Sequence, residues 1–385
     1  MLDPDKILYL DYNSTTPIDP RVLDVMLPFL KGNFANPSST HHFGQSINEN
    51  VKQAREQIAN FINAESKELI FTSGATEAIN IAIKGVAESY FNKGKHIITV
   101  STEHKAVLDT CKDLERKGFE ITYLTVQPNG LIDIEELKRS IRTETVLVSV
   151  MYVNNETGVM QPIKEISKVA RENGVLFMTD ATQAVGKIEI DVDNLGIDLL
   201  CFSGHKMYAP KGIGALYIRQ RGNKVKLKAQ IHGGGHEQGL RSGTLNVPGI
   251  IALAKACEIA GQEIKQNQKK ITQLRDKLEY ELLKLPNTFL NGDSKNRIYN
   301  TTNICFIGQD ANVLIGRMKE IALSNGSACS SAIIEPSHVL TSMGLSTENS
   351  FASLRFSLGK QNNIEDIEQA IEKIKELTQS DFNYA

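Results

Sequence analysis

The chain has 385 residues, too many for one small core, and its 41% hydrophobic and 23% charged residues place it among globular proteins, in two units. Its 43 basic residues nearly balance 45 acidic ones, and a formal charge of −2 gives no electrostatic reason to expect nucleic acid or an anionic membrane surface. No apolar run approaches the ~20 residues of a membrane span. The opening MLDPDKILYLDYNSTTP has neither a signal core nor Arg-rich presequence character, and five cysteines without a CxxC pair fit a reducing compartment, so a cytoplasmic protein is expected.

Short apolar runs alternate with helical stretches from about Glu68 to Ile218. The runs ELIFTSG (68–74), KHIITVS (95–101), EITYLTV (120–126), TVLVSVMYV (145–153), VLFMTDA (175–181), DLLCFSGHK (198–206) and GALYIR (214–219) predict seven strands. Helices between them, as in EAINIAIKGVAESYF and PIKEISKVAREN, imply a doubly wound α/β sheet, mostly parallel. GALYIR follows its predecessor too closely for a helical crossover and is expected to run antiparallel. A long helix from Pro248 to Leu285 then leads to a smaller α+β unit: strand TNICFIG, helix ANVLIGRMKEI, strand SLRFSLG and closing helix IEDIEQAIEKIKEL.

Ligands of open α/β sheets sit beyond the carboxyl ends of the strands, and unusual polar residues recur there. In FTSGATEAIN the N–H groups of Gly74, Ala75 and Thr76 could hold a phosphate, or Ser73 or Thr76 could simply cap the helix; the missing GK[ST] tail argues against a nucleoside triphosphate. STEHKAVLD puts His104 at a helix entry, able to stack on a flat ring or shuttle protons. VNNETG offers Asn154 and Asn155 as turn formers or ligand donors. TDATQAVG reads either as a helix cap, Asp180 opening and Gln183 reaching back, or as a carboxylate for a protonated ring nitrogen. CFSGHKMYAPKGIGAL delivers Ser203, His205 and Lys206 together, and a lysine partly desolvated at a sheet mouth becomes a Schiff-base nucleophile. A phosphate seat, an acidic ring partner and such a lysine are what pyridoxal phosphate requires.

SLRFSLG alternates, so Arg355 reads as a solvent-facing residue of a half-exposed strand or as a fork for a carboxylate. HGGGHEQGLRSGTLN, with no helix opening after its glycines, is a poor dinucleotide fingerprint and reads as a loop crossing to another subunit. Cys111, Cys201, Cys257 and Cys305 sit in helical or strand patterns as small hydrophobes. Cys329, inside SNGSACSSA, has no such packing role.

These motifs resemble, over nearly the whole chain, the cysteine desulfurases: LDYNSTTP, FTSGATEAIN, TEHKAVLDTC, VNNETGV, DATQAVGK, FSGHKMYAPKGIGALY, HGGGHEQGLRSGTLN, SNGSACSSA and RFSLGK. The Cys segment is similar to the longer-loop, nitrogen-fixation and iron–sulfur-assembly group. The resemblance implies a pyridoxal-phosphate enzyme of fold type I, aspartate-aminotransferase-like, with a large domain (15–260) and a small one (1–14 and 261–385) carrying the Cys loop at about 324–340. It implies Lys206 as the cofactor's covalent anchor, Asp180 on the ring nitrogen, Gln183 on the ring hydroxyl and His104 stacked on the ring. The phosphate falls to Ala75, Thr76, Ser203 and His205, with Thr244 from the other subunit of a homodimer, and the carboxylate of L-cysteine to Asn155 and Arg355.

Cys329 would take the substrate's sulfur as a persulfide, releasing alanine, and hand it to an acceptor such as an iron–sulfur scaffold, with tRNA thiolation a further use. A cluster shared transiently with that scaffold is the only metal role expected of Cys329, since Cys and His lack ligand spacing. Ser14 stands where the family often has Ala, and the chain stops at SDFNYA where relatives often carry a longer scaffold-docking tail. The rival readings are another pyridoxal-phosphate reaction (selenocysteine lysis foremost), a thiol hydrolase pairing Cys329 with His338, and a non-enzymatic sulfur relay.

Overall fold

The computed structural model describes residues 7–326 and 335–380. In chain order its first elements are β1 (Leu8–Tyr9), α1 (Pro20–Lys31), α2 (His42–Phe61), β2 (Leu69–Thr72), α3 (Ala75–Ser89), β3 (His96–Val100), α4 (Lys105–Arg116) and β4 (Glu120–Leu124). There follow α5 (Ile134–Ser140), β5 (Thr145–Ser149), α6 (Ile163–Glu172), β6 (Leu176–Asp180), β7 (Leu199–Ser203), β8 (Gly214–Ile218) and α7 (Val247–Leu282). The last part holds β9 (Thr288–Leu290), β10 (Thr301–Phe306), α8 (Ala311–Arg317), β11 (Ile321–Ala322), α9 (His338–Ser342), α10 (Thr347–Phe351), β12 (Ser353–Ser357) and α11 (Ile364–Ser380).

All seven expected runs form one sheet, ordered β2-β8-β7-β6-β5-β3-β4. The joints β3–β4, β3–β5, β5–β6 and β6–β7 are parallel, while β8 lies antiparallel between β7 and β2, as its short connection requires. Period-two alternation divides each strand between two cores. In β7, Leu200 and Phe202 join the core formed with α2, α6 and α7, whereas Leu199 and Cys201 join the one formed with α3 and α4. Burial on both faces is why these strands read as continuous apolar runs.

Helix α7 starts at Val247, with Asn246 capping Gly249 N–H, and runs 36 residues, about 54 Å at 1.5 Å per residue. Its flanks differ: α1 and α2 pack on it, as do α11 and β10. Beyond it the antiparallel sheet β12-β10-β9 carries the rest of the chain. The N-terminal segment belongs with this part by pairing, since Leu8 and Tyr9 lie parallel to Ile321 and Ala322, and Asp11 bridges Ser357.

Two expectations fail here. The helix ANVLIGRMKEI stops at Arg317, because Ile321 and Ala322 are drawn into the ladder with β1. Strand β12 is not half-exposed. Both its faces are buried and Arg355 is 4% exposed, because the N-terminal segment covers the side that alternation assigned to water.

The sheet also buries a titratable group. His96 is 1% exposed, between Thr145 Oγ1 at 2.7 Å and Thr122 Oγ1 at 2.8 Å, and burial lowers its pKa from 6.5 to about 4. Folded His96 stays neutral while the unfolded chain takes a proton near 6.5, so stability falls as pH drops from 6.5 toward 4, by up to ~1.4 kcal/mol per pH unit from this group. Denaturant titrations at several pH values should show that slope reduced in His96→Gln.

Candidate active site

A cavity of about 520 Å³ opens at the carboxyl edge of the large sheet. It is lined by Ala75, Thr76, His104, Asn155, Asp180, Gln183, Ser203, His205, Lys206 and Arg355. Of the expected cofactor and substrate residues only Thr244 stands apart, exposed on the loop before α7 and absent from the lining. Cys329 falls outside the described residues.

The turn between β2 and α3 forms one wall. No side chain caps α3, so the N–H groups of its first turn have no partner within the helix and face the cavity at the positive end of the dipole. The capping alternative for Ser73 and Thr76 is thereby set aside: Ser73 gives both its N–H (2.9 Å) and its hydroxyl (2.5 Å) to Glu77 Oε2. Gly214 lets this turn approach, because a Cβ there would stand 2.6 Å from Phe202 O and 2.7 Å from Gly74 Cα.

Asp180 ends β6 and is 6% exposed, its Oδ1 accepting the Thr182 N–H at 2.9 Å. No helix follows it, so the capping reading of TDATQAVG fails: Gln183 reaches away to Asn13, donating from Nε2 to the backbone oxygen at 2.8 Å. Lys206 follows β7 in a single 3-10 turn, and its Nζ donates to the backbone oxygens of Asn13 (2.6 Å) and Ser14 (2.5 Å). His205, next to it, holds Thr15 Oγ1 at 3.1 Å, and burial, reinforced by Lys206, Lys211 and Lys187, lowers its pKa to about 4. It stays neutral near pH 7.

His104 sits at the helix entry and at the cavity. It caps α4, Nδ1 accepting the Ala106 N–H at 3.1 Å, which leaves the proton of a neutral ring on Nε2, and it lines the cavity. Asn154 and Asn155 divide their roles. Asn154 is the turn former, accepting from Glu156 N–H and Thr157 N–H, while Asn155 lines the cavity. Arg355 reaches in from β12, pinned by Asp11 Oδ1 at 2.6 Å, Ser14 Oγ at 2.9 Å and Asn155 O at 3.0 Å.

Described residues on either side of Cys329 in the sequence meet this wall. Ser337 donates to Glu156 Oε2 at 2.5 Å, and a Cβ on Gly326, at φ +89°, would sit 2.7 Å from the same oxygen. Gly326 and Ser337 therefore both meet Glu156, the neighbour of Asn155. The other four thiols are buried, which pushes Cys305 up to about 11, Cys111 up to about 12, Cys257 higher still, and Cys201 well above the usual thiol range. They are held as thiols.

Sequence reasoning assigned no role to Asn13, Asp11, Glu156 or Lys187. Their signal was positional only, polar residues inside the LDYNSTTP, VNNETG and DATQAVGK stretches. Among the described residues no helix is long and apolar enough to cross a membrane, and no group of three or more His, Cys, Asp or Glu is placed to hold a metal.

The chain matches the family described as "Aminotransferase class-V" over residues 8–370. The chain belongs to that family. This class-V aminotransferase is 50% identical over 370 residues to a cysteine desulfurase IscS of Methylococcus capsulatus, covering 96% of this chain and 92% of the other. It is 49% identical over 371 residues to a cysteine desulfurase IscS of Escherichia coli O139:H28, with the same coverage of each chain. Among solved structures, a NifS-like protein superposes with TM-score 0.91 at 36% identity, covering 97% of this chain and 99% of that one. A structure described as SspA in complex with cysteine gives 0.81 at 40% identity, covering 91% and 98%.

Class-V aminotransferases of this kind use pyridoxal phosphate. The cavity fits that cofactor. Its volume is in the range for small-molecule sites, and its walls combine an uncapped helix N-terminus for a phosphate, a buried carboxylate and a lysine amine. Because Gly214 sets the approach of the α3 turn, Gly214→Ala should weaken retention of pyridoxal phosphate at least ~tenfold, the cost of roughly one lost charged hydrogen bond. Visible absorbance after dialysis reads it, with far-UV circular dichroism unchanged.

Proposed function

We propose that the protein is a cysteine desulfurase that converts L-cysteine to L-alanine and places the sulfur on Cys329 as a persulfide, for delivery to an acceptor protein in iron–sulfur cluster assembly. The carrying observation is that Lys206, Asp180, Gln183, the uncapped start of α3 and Arg355 line one cavity in a chain 50% identical to a cysteine desulfurase.

When bound, pyridoxal phosphate supplies an electron sink to the carbon bearing the substrate amine. The residues around it divide the remaining work. The α3 N-terminus at Ala75 and Thr76, with Ser203 and neutral His205, would hold the phosphate. Asp180, buried at the sheet edge, would keep the ring nitrogen protonated, and His104 would cover the ring face. Lys206 would anchor the cofactor, and its amine would take and return the proton of the substrate's Cα. Arg355, already oriented by Asp11 and Ser14, presents its fork to the substrate carboxylate together with Asn155.

Sulfur transfer needs a thiolate on Cys329, with the bound substrate as proton acceptor, because the neutral His104 ring already carries its proton on Nε2. The Cys329 sulfur bonds to the substrate sulfur as the substrate Cβ–S bond breaks, and protonation of that carbon yields alanine. One sulfur atom leaves cysteine and appears on Cys329, so no outside oxidant or reductant is needed. In support, Gly326 and Ser337, described residues on either side of Cys329 in the sequence, both meet Glu156, the neighbour of Asn155. In a cytoplasmic homodimer, Thr244 of a second copy would complete the phosphate site, in keeping with its exposure and its distance from this chain's own cavity lining.

Cys329→Ser should retain the visible absorbance of bound cofactor, carry no persulfide by mass spectrometry, and release alanine from L-cysteine at least ~100-fold more slowly, the scale of losing the attacking nucleophile. Alanine release at the wild-type rate would remove Cys329 from the reaction.

A further inference from the structure

Lys187 has no part in the chemistry above, yet it is 8% exposed and has no carboxylate partner among the described residues. Its Nζ donates to Gln183 Oε1 at 2.5 Å and reaches Asn13 Oδ1 at 3.4 Å. A cavity of about 30 Å³, room for about one water, is lined by both Lys187 and Lys206. The charged and titratable groups facing it are Lys206, Arg355, Tyr12, Tyr208, Tyr299 and Lys360, all cationic or phenolic. Burial, then Lys206 and Arg355, bring its pKa from 10.5 down to about 7. An amine kept so far from water and from any acid needs a reason.

The reason lies in the amide it touches. A glutamine side chain can ordinarily turn over, exchanging its oxygen and its nitrogen. Here Lys187 donates to Oε1 while the Asn13 backbone oxygen, an acceptor only, takes an Nε2 proton, so the two contacts together hold the amide in one orientation. One Nε2 proton goes to Asn13 O at 2.8 Å, and the second is left for the cavity that Gln183 lines. The cavity is thereby offered a donor at a point where a turned amide would offer an acceptor.

We propose that Lys187 is a positioning residue that locks the Gln183 amide with its N–H toward the ring oxygen of bound pyridoxal phosphate. This rests on the reading of the cavity as the cofactor site. An N–H in that place stabilises a negatively charged ring oxygen and so opposes proton uptake by the bound cofactor. With Lys187 gone, Oε1 is buried without a partner and the Asn13 oxygen alone holds the amide, so its N–H is less firmly aimed at the ring oxygen.

The test uses the full-length holoenzyme without substrate, following visible absorbance against pH and the rate of cofactor loss. In Lys187→Met the absorbance midpoint should rise by about one pH unit, a ~tenfold gain in proton affinity, with cofactor lost several-fold faster. Lys187→Arg, which keeps a donor, should restore the wild-type midpoint. Gln183→Met should reproduce the Lys187→Met midpoint, and the double variant should add nothing. If Lys187→Met does not accumulate as folded protein, Gln183→Met and Lys187→Arg decide alone. A wild-type midpoint in folded Lys187→Met or in Gln183→Met overturns the proposal. A wild-type protein that binds no pyridoxal phosphate would instead overturn the reading of the cavity on which it stands.

Discussion

Asn13 ties the two parts of the molecule together at the point where the site is built. It is 2% exposed and all its polar groups are engaged. Its N–H donates to Ser357 Oγ at 2.9 Å, and Nδ2 donates to Thr301 Oγ1 at 2.9 Å and Asn155 O at 3.2 Å. Its backbone oxygen accepts from Lys206 at 2.6 Å and Gln183 at 2.8 Å, and Oδ1 accepts from Asn300 at 3.2 Å. A buried network this fully satisfied has one geometry, since any shift would orphan a group away from water. The lysine tip, the glutamine amide and the small sheet are therefore fixed against one another by a residue from a segment whose own strand is two residues long.

The electrostatics follow from that assembly. Lys206, Lys187 and Arg355 converge within a largely buried volume, while His205 is held neutral among them. Asp180 and Asp11 supply the nearby negative charge, and Asp11 is taken up by Arg355 at 2.6 Å. The remaining excess of positive potential, joined to the open end of α3, suits a ligand bearing a phosphate and a carboxylate. Burial, with this crowding of cations, keeps the Lys187 amine from holding its proton tightly.

Much of this was readable along the chain because it depends on local pattern. Seven apolar runs named the seven strands, and the spacing of β7 and β8 gave the one reversed direction. Residues at or just past strand ends named about half of the cavity lining, because an α/β sheet brings those ends to one edge. What stayed hidden depends on distant pairing. Arg355 alternates like a surface residue, and nothing near it in sequence reveals that residues 8–14 will cover it. Ile321 continued a helical pattern and became a strand because Leu8 lies beside it. Asp180 and Gln183 had the spacing of a cap, yet Gln183 turns to a backbone oxygen 170 residues away in sequence. Asn13 carried no chemical signature at all, its importance arising only from its neighbours in space.

The affinity of full-length Asn13→Ala for pyridoxal phosphate, titrated by visible absorbance with far-UV circular dichroism as a check on folding, bears most directly on this arrangement. Loss of the amide strands buried partners of Asn13 at roughly 1–3 kcal/mol, so binding about ten- to a hundredfold weaker than wild type is expected from a protein with its secondary structure intact. A folded Asn13→Ala protein that binds the cofactor as tightly as wild type would contradict it.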